Sequence, residues 1–146
     1  IFGIEGFRGA GRRFEILGKY AGITVADDYA HHPTAIKTTL EGYRQFYKNR
    51  KIIVDFMSHT YSRTQSLLKE FASSFASADV VILHKIYASA RENIADFNVT
   101  GKTLFEETKN YSDNVHYFEE ILDAKDFVQQ ELNKPCLQNT LTDICL

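Results

Sequence analysis

The pattern of apolar and polar positions predicts strands that alternate with helices. Lys51 to Met57 and Asp79 to His84 are short, nearly continuous apolar runs, as expected of buried parallel strands. Ile86 to Thr100 has no clear period and is predicted to be irregular. Elsewhere apolar residues mostly recur every three or four positions, which is typical of amphipathic helices. These helices are predicted over Pro33 to about Tyr47, Thr60 to about Ser77, Lys102 to Asn110 and Glu119 to about Leu132.

The N-terminal part of the chain has the composition of a β-hairpin. Arg12 to Tyr20 and Ile23 to Asp27 read as strands, and Ala21-Gly22 between them predicts a turn. Asn114 to Phe118 predicts a further, weak strand. Strands alternating with helices of this length imply right-handed crossovers and parallel pairing. The predicted fold is one α/β domain over residues 1–146: a Rossmann-like, mostly parallel sheet with helices on both faces and an N-terminal hairpin strand.

Composition and charge narrow the class of protein. The chain has 146 residues and is 44% hydrophobic, which suits one folded domain with a real core. A net charge of −2 with interspersed signs argues against electrostatic binding of nucleic acid. No apolar run approaches the roughly 20 residues that a membrane helix needs. Cys136 and Cys145 show no disulfide or metal spacing, which favours a reducing cytoplasm. Because Ile1 is not an initiator methionine, we expect a fragment of a longer chain; the tail after Pro135 receives no assignment.

Polar side chains follow three of the predicted strands. Asp27 to His32, Ser58 to Arg63 and His84 to Arg91 each begin at or just after the end of a strand. In a parallel sheet these ends meet at the carboxyl edge, where doubly wound folds bind ligands. The sequence therefore predicts one ligand site at this edge.

Each cluster also has a structural interpretation. In the cluster from Asp27 to His32, carboxylates could hold a ribose diol and imidazoles could hold or relay a proton. The same residues could instead bind a metal ion or cap the start of a helix. The helix predicted to start near His59 would present free amides to an anion, and Arg63 could grip a carboxylate or phosphate. Alternatively, Arg63 pairs with a surface acid. Arg91-Glu92 is as readily a surface ion pair as part of a site.

Two glycine-containing segments have the wrong form for a nucleotide loop. Gly6 to Gly11 has G-x-x-G-x-G spacing, which differs from the dinucleotide fingerprint. Gly101-Lys102-Thr103 ends like a phosphate loop, but the required first glycine falls at Asp96. The chain thus lacks a triphosphate motif of its own, and if ATP is used, another domain must hold its phosphates.

Four segments together resemble the C-terminal domain of the Mur ligases. They are the Arg-Arg-Phe-Glu, Asp-Asp-Tyr-Ala-His-His-Pro-Thr, His-Thr-Tyr-Ser-Arg-Thr and Ile-Tyr-x-x-x-Arg-Glu sequences, which occur in the family's order. The resemblance covers roughly residues 6 to 132, and the set is highly specific. The segments are Arg12 to Glu15, Asp27 to Thr34, His59 to Thr64 and Ile86 to Glu92.

The resemblance implies an ATP-dependent ligase that forms an amide through an acyl phosphate. The favoured member joins L-alanine to UDP-N-acetylmuramate during peptidoglycan precursor synthesis in the bacterial cytoplasm. This chain would be its amino-acid-binding lid domain, inactive alone, because the N-terminal UDP-sugar domain and the central ATPase domain are absent from it. The central domain would hold most of the ATP and Mg²⁺. Neither nucleic acid nor a membrane is an expected partner.

Other functions stay open at this point. The related ligase that attaches recycled murein tripeptide to UDP-N-acetylmuramate shares part of the pattern. A stand-alone module that binds nucleotides or small acids is a second alternative. A metal-dependent hydrolase is a third, and it would use Asp27, Asp28, His31, His32 and His59.

The resemblance also implies roles for individual side chains. It assigns none as catalytic and none as a metal ligand. The matched residues are Arg13, Asp28 and Tyr29 for ATP, His31, His59 and Arg63 for the amino acid, and His32, Tyr61 and Arg91 without a defined role.

Overall fold

The strands within the described residues form two separate sheets. The computed structural model describes residues 11–134. In this part β1 (Glu15–Tyr20) and β2 (Ile23–Asp27) form an antiparallel hairpin. β3 (Ile53–Phe56), β4 (Val80–Leu83) and β5 (Val115–Tyr117) form a parallel sheet in that order. The predicted α/β class and its mostly parallel sheet are confirmed, whereas the hairpin forms a sheet of its own.

The hairpin turn lies where the sequence predicts it. Ala21 and Gly22 have φ values of 48° and 85°, as the tight two-residue turns of hairpins require. β1 begins at Glu15 and not at Arg12, because Arg12 and Phe14 have positive φ values of 55° and 54° that are incompatible with a strand. Residues 12–14 therefore fold back as an irregular segment before the hairpin.

The predicted helices are present, with two corrections. The predicted helix from Thr60 to about Ser77 is broken at Leu67, which has φ −123° and ψ 31° and separates α2 from α3. The segment predicted as a helix from Glu119 starts with a 3₁₀ turn, Ile121–Ala124. The helices are α1 (Pro33–Phe46), α2 (Tyr61–Ser66), α3 (Leu68–Ser74), α4 (Gly101–Thr108) and α5 (Lys125–Asn133), with another 3₁₀ turn at Ile94–Asp96.

Helices cover both faces of the parallel sheet, as predicted. On one face the buried side chains of α1, α3 and α4 pack against alternate residues of β3 and β4. On the other face α5 packs over the remaining strand residues, including Ile53 and Ile82. Both strands are consequently buried on both sides, which explains their continuous apolar sequences.

Gly101 starts α4 in tight contact with the chain that leaves β4. A Cβ atom at this position would lie 2.3 Å from the carbonyl oxygen of His84, so a larger residue would force the backbone apart. Thr100 caps the helix and forms a reciprocal capping box with Thr103. Packing thus accounts for the glycine of the Gly-Lys-Thr sequence.

Within residues 11–134, no helix combines the length and the apolarity that a membrane span would require. The remainder of the glycine-rich segment before Gly11, and the chain from Pro135 onward with both cysteines, lie outside the described residues.

Candidate functional site

A cavity of about 580 Å³ opens where β2 and β3 end. It brings together two of the three polar clusters predicted from the sequence. We call its two sides the hairpin wall (Arg12 and residues 27–31) and the sheet wall (Phe56, Met57, His59 and Arg63). Five of the nine residues implied by the resemblance line it: Asp28, Tyr29, His31, His59 and Arg63.

The hairpin wall is held by the irregular segment that precedes β1. The amide of Phe14 donates a hydrogen bond of 2.8 Å to the Asp28 carboxylate. The amide of Tyr29 donates to the carbonyl of Arg12 at 2.7 Å. The ring of Phe14 stacks on that of Tyr43 in α1, with centroids 3.9 Å apart. One carboxylate oxygen of Asp28 thus has a structural role in shaping the wall.

Arg12, and not Arg13, faces the cavity. Arg12 Nε lies 3.0 Å from Asp27 Oδ2, and its guanidinium lies 5.1 Å from the centroid of the Tyr29 ring. Arg13 is exposed and does not line the cavity. Arg12 and Phe14, on either side of Arg13, have positive φ values in this turn. The resemblance implies Arg13 as the ATP contact, and that role stays a prediction.

The sheet wall turns sharply between β3 and α2. Thr60 has φ 72° and ψ 131°, a conformation that costs energy for any residue other than glycine. Buried hydroxyls hold the turn: Thr64 donates to the carbonyl of Thr60 at 2.8 Å, which leaves the Ser58 hydroxyl to donate to Thr64 at 2.6 Å. This turn fixes the direction in which His59 and Arg63 leave the backbone.

One hydrogen bond joins the two walls directly. Arg63 Nη1 donates to the carbonyl of His31 at 3.0 Å. His31 Nδ1 lies 2.9 Å from the carbonyl of Tyr29. Because a carbonyl only accepts, Nδ1 carries a proton, and Nε2 is the ring nitrogen left for a ligand, as a donor when the ring is protonated and as an acceptor when it is neutral. The site therefore combines a guanidinium, an imidazole and two carboxylates.

The third polar cluster supports the sheet wall from behind. The ring of Tyr87 stacks on His59, with centroids 4.7 Å apart. The Glu92 carboxylate accepts bonds from the amides of Tyr61 and Ser62, at 3.0 and 2.9 Å, and from the Ser62 hydroxyl at 2.6 Å. The hydroxyl bond and then the amides lower the pKa of Glu92 to about 2. The prediction that these amides are free for an anionic ligand is therefore wrong.

The other predicted site residues do not line the cavity. His32 caps α1, accepting the amide of Thr34 at 3.3 Å. Tyr61 stacks on Phe97, with centroids 5.9 Å apart. Arg91 is exposed on the loop that carries Glu92. These positions help to shape helix starts and loops around the site, and a direct contact with ligand stays a prediction for each.

His84, in the third polar cluster, is buried away from the cavity. Its Nε2 lies 2.7 Å from Asp55 Oδ1, and its Nδ1 lies 3.0 Å from the carbonyl of Phe118. Burial alone would lower the pKa of His84, but the hydrogen bond and charge of Asp55 outweigh it and raise the pKa. The geometry is that of a protonated ring bridging β3 and the chain after β5.

In the part of the chain from 11 to 134, no three His, Cys, Asp or Glu side chains come together in an arrangement that could hold a metal ion. Asp27, Asp28, His31, His32 and His59 thus form no ligand set there, and the metal-dependent hydrolase hypothesis has no site among these residues.

Known proteins resemble the chain along most of its length. The model of the family described as Mur ligase, glutamate ligase domain, matches residues 12–136. A UDP-N-acetylmuramate–L-alanine ligase of Treponema pallidum is 56% identical over 135 residues, which are 92% of this chain and 28% of the relative. The ligase of the same name from Borreliella burgdorferi is 40% identical over 128 residues, covering 88% of this chain and 27% of the relative.

A solved structure agrees with these sequence matches. The crystal structure of a UDP-N-acetylmuramate–alanine ligase from Thermotoga maritima superposes with a TM-score of 0.67 at 26% identity. It covers 95% of this chain and 27% of that one. The chain therefore spans little more than a quarter of the length of the relatives that it matches. With the family model matching well over half of the residues, the chain belongs to the Mur ligase family, in its glutamate ligase domain.

Proposed function

We propose that this chain is the C-terminal, amino-acid-binding domain of an ATP-dependent ligase that joins L-alanine to UDP-N-acetylmuramate. The observation that carries the proposal is the 56% identity, over 92% of the chain, to a relative that bears this name. The proposed place of action is the bacterial cytoplasm, where peptidoglycan precursors are made. The UDP-sugar and the phosphates of ATP would be bound by other domains of the full enzyme.

The chemistry of the cavity supports this role. Amide formation through an acyl phosphate needs an amino acid held with its amine toward the activated carbonyl, so positioning and charge stabilisation dominate. The Arg63 guanidinium and the imidazoles of His31 and His59 suit the carboxylate of the amino acid. Asp28 and Tyr29, on the hairpin wall, are the proposed contacts for the nucleotide. Arg12 is the better placed cation for ATP, whereas Arg13 stays a prediction from the resemblance.

Mg²⁺ fits this domain poorly as a resident ion. Octahedral Mg²⁺ takes oxygen ligands, usually one or two carboxylates together with substrate phosphates. Asp27 already pairs with Arg12, and Asp28 already accepts the amide of Phe14. We therefore infer that the ion and the triphosphate enter the site on another domain, with this chain closing over them.

The recycling ligase is not favoured as the alternative, because the two curated relatives described above both carry the alanine-ligase name. A stand-alone binding module is an alternative of another class. It predicts tight ATP binding by the isolated chain, whereas a lid domain that lacks a triphosphate motif should bind ATP weakly.

The deciding experiment is phosphate release by the full-length enzyme with ATP, Mg²⁺ and UDP-N-acetylmuramate, supplied with either L-alanine or the tripeptide. Alanine-dependent release is the expected result. Release with the tripeptide alone would transfer the assignment to the recycling ligase. Release with neither would overturn the proposal.

A further inference from the structure

The start of α2 depends on a carboxylate from a distant loop. α2 is only six residues long, and Thr60 before it makes no side-chain cap. Helices this short are unstable without tertiary support, because helix nucleation costs more free energy than a few backbone hydrogen bonds provide. Glu92 takes the place of the missing cap and puts a negative charge at the positive end of the helix.

The same loop contacts the sheet wall at neighbouring positions. The amide of Tyr87 donates to the carbonyl of Ser58 at 2.8 Å, and the amide of Thr60 donates back to Tyr87 at 3.0 Å. The Tyr87 ring packs on His59. The loop and the sheet wall are thus paired like two short strands next to the strained turn, and Glu92 anchors the end of that pairing.

We propose that Glu92 is a positioning residue for His59 and Arg63. Its carboxylate contacts the α2 amides and not the cavity, so it would act on the amino acid only through the direction of these two side chains. The inference deepens the proposed function and rests on it wherever activity is measured.

Removal of the carboxylate should loosen the start of α2. His59 would keep its Tyr87 contacts and Arg63 its bond to His31 on the opposite wall, and the turn before α2 would depend on the Ser58 and Thr64 hydroxyls. We expect binding of L-alanine to suffer more than binding of ATP, since the proposed ATP contacts lie on the hairpin wall. Gln retains an acceptor oxygen but no charge, so Glu92→Gln should behave between the wild type and Glu92→Ala.

The test uses the full-length enzyme with E92A, E92Q and a matched control, E106A. Glu106 is an exposed carboxylate on α4, paired with Lys109 at 2.9 Å and away from the cavity lining. E92A should raise KM for L-alanine about 10-fold and E92Q about 3-fold, with KM for ATP changed less than about 2-fold, as expected for lost charge-assisted hydrogen bonds. E106A should match the wild type.

A second readout does not depend on turnover. Amide hydrogen exchange of the peptide over residues 58–66 should accelerate about 10-fold in E92A, while a peptide over β4 stays protected. If E92A does not fold, E92Q keeps both measurements possible. Unchanged exchange in a folded variant would overturn the proposal, as would faster exchange with unchanged KM for L-alanine. A wild-type enzyme without alanine-dependent release would refute the proposed function alone, because exchange still tests the contact of Glu92 with α2.

Discussion

The two walls of the cavity are held in place by different means. The sheet wall continues β3 into α2 and is anchored by buried residues: Ser58 is 1% exposed and Thr64 is fully buried. The hairpin wall depends on a surface segment, where Phe14 is 45% and Tyr29 50% exposed. We conclude that the wall carrying His59 and Arg63 is fixed by the core, whereas the wall carrying His31 and the proposed nucleotide contacts is fixed by a few surface contacts.

The largest expected effect compares Phe56 of the sheet wall with Phe14, which belongs to the segment that holds the hairpin wall. Phe56 lies among Phe71 and Phe75, with ring centroids 5.9 and 5.3 Å away. Phe56→Ala should cost about 3–5 kcal/mol of unfolding free energy, as deletion of a buried aromatic does. Phe14→Ala should cost only about 1 kcal/mol, because its ring is half exposed and stacks on Tyr43. Urea unfolding of the chain measures both, and equal losses would contradict the contrast.

Substitution of Arg63 should have the next largest effect, which is on the use of L-alanine by the full-length enzyme. In the full-length enzyme, Arg63→Ala should raise KM for L-alanine roughly 10- to 100-fold, since charged hydrogen bonds contribute about 1.5–3 kcal/mol. Arg63→Lys should recover only part of this, because an ammonium lacks the planar fork. Lys109→Ala, at the exposed end of α4, is the control. Steady-state kinetics with varied L-alanine decide the point, and an unchanged KM would remove Arg63 from the amino-acid site.

A smaller effect separates Arg12 of the hairpin wall from its exposed neighbour Arg13. Arg12→Ala should raise KM for ATP up to about tenfold, while its exposed pair with Asp27 contributes under about 1 kcal/mol to stability. Arg13→Ala should leave both quantities close to the wild type. The reverse pattern would restore Arg13 as the ATP contact and would show that residues 12–14 rearrange when the full enzyme binds nucleotide.

The smallest expected effect is a pH dependence of the unfolding free energy that comes from the buried His84. The pKa of His84 is raised in the folded chain, so its stabilising contribution is complete below the unfolded value of 6.5 and is lost as pH rises through the folded value. Each unit of elevation corresponds to about 1.4 kcal/mol. Unfolding free energy measured between pH 6 and pH 9 should fall, and Asp55→Asn should flatten the decline. A slope that persists in Asp55→Asn must come from another group.

Local signals in the sequence were enough for most of the scaffold. Ala21-Gly22 predicted the hairpin turn, and the apolar sequences of β3 and β4 predicted strands buried on both sides. Asp28 and Arg63 do meet in one cavity, as expected of residues that follow the ends of strands. The first cluster nevertheless reaches that edge from the hairpin, which pairs with no strand of the parallel sheet.

The errors share one physical cause: they depend on contacts between distant segments. Neither glycine nor proline marks Leu67, whose side chain packs against the core at the break between α2 and α3. Glu92 lies thirty residues beyond Ser62 in the sequence. No sequence pattern around Ser62 indicates that a carboxylate is its partner. The sequence around the start of α2 predicts free backbone amides, but it does not predict which distant residue binds them in the folded chain.

The separation of the hairpin from the parallel sheet has a consequence for the order of folding. β1 and β2 are joined by a two-residue turn and can pair within microseconds, whereas β3 and β4 must wait for the intervening helices to close a long crossover. The cavity exists only after these two units dock, so we expect the ligand site to be the last part of the domain to mature. Refolding intermediates should therefore protect backbone amides of the sheet before they acquire any affinity for substrate.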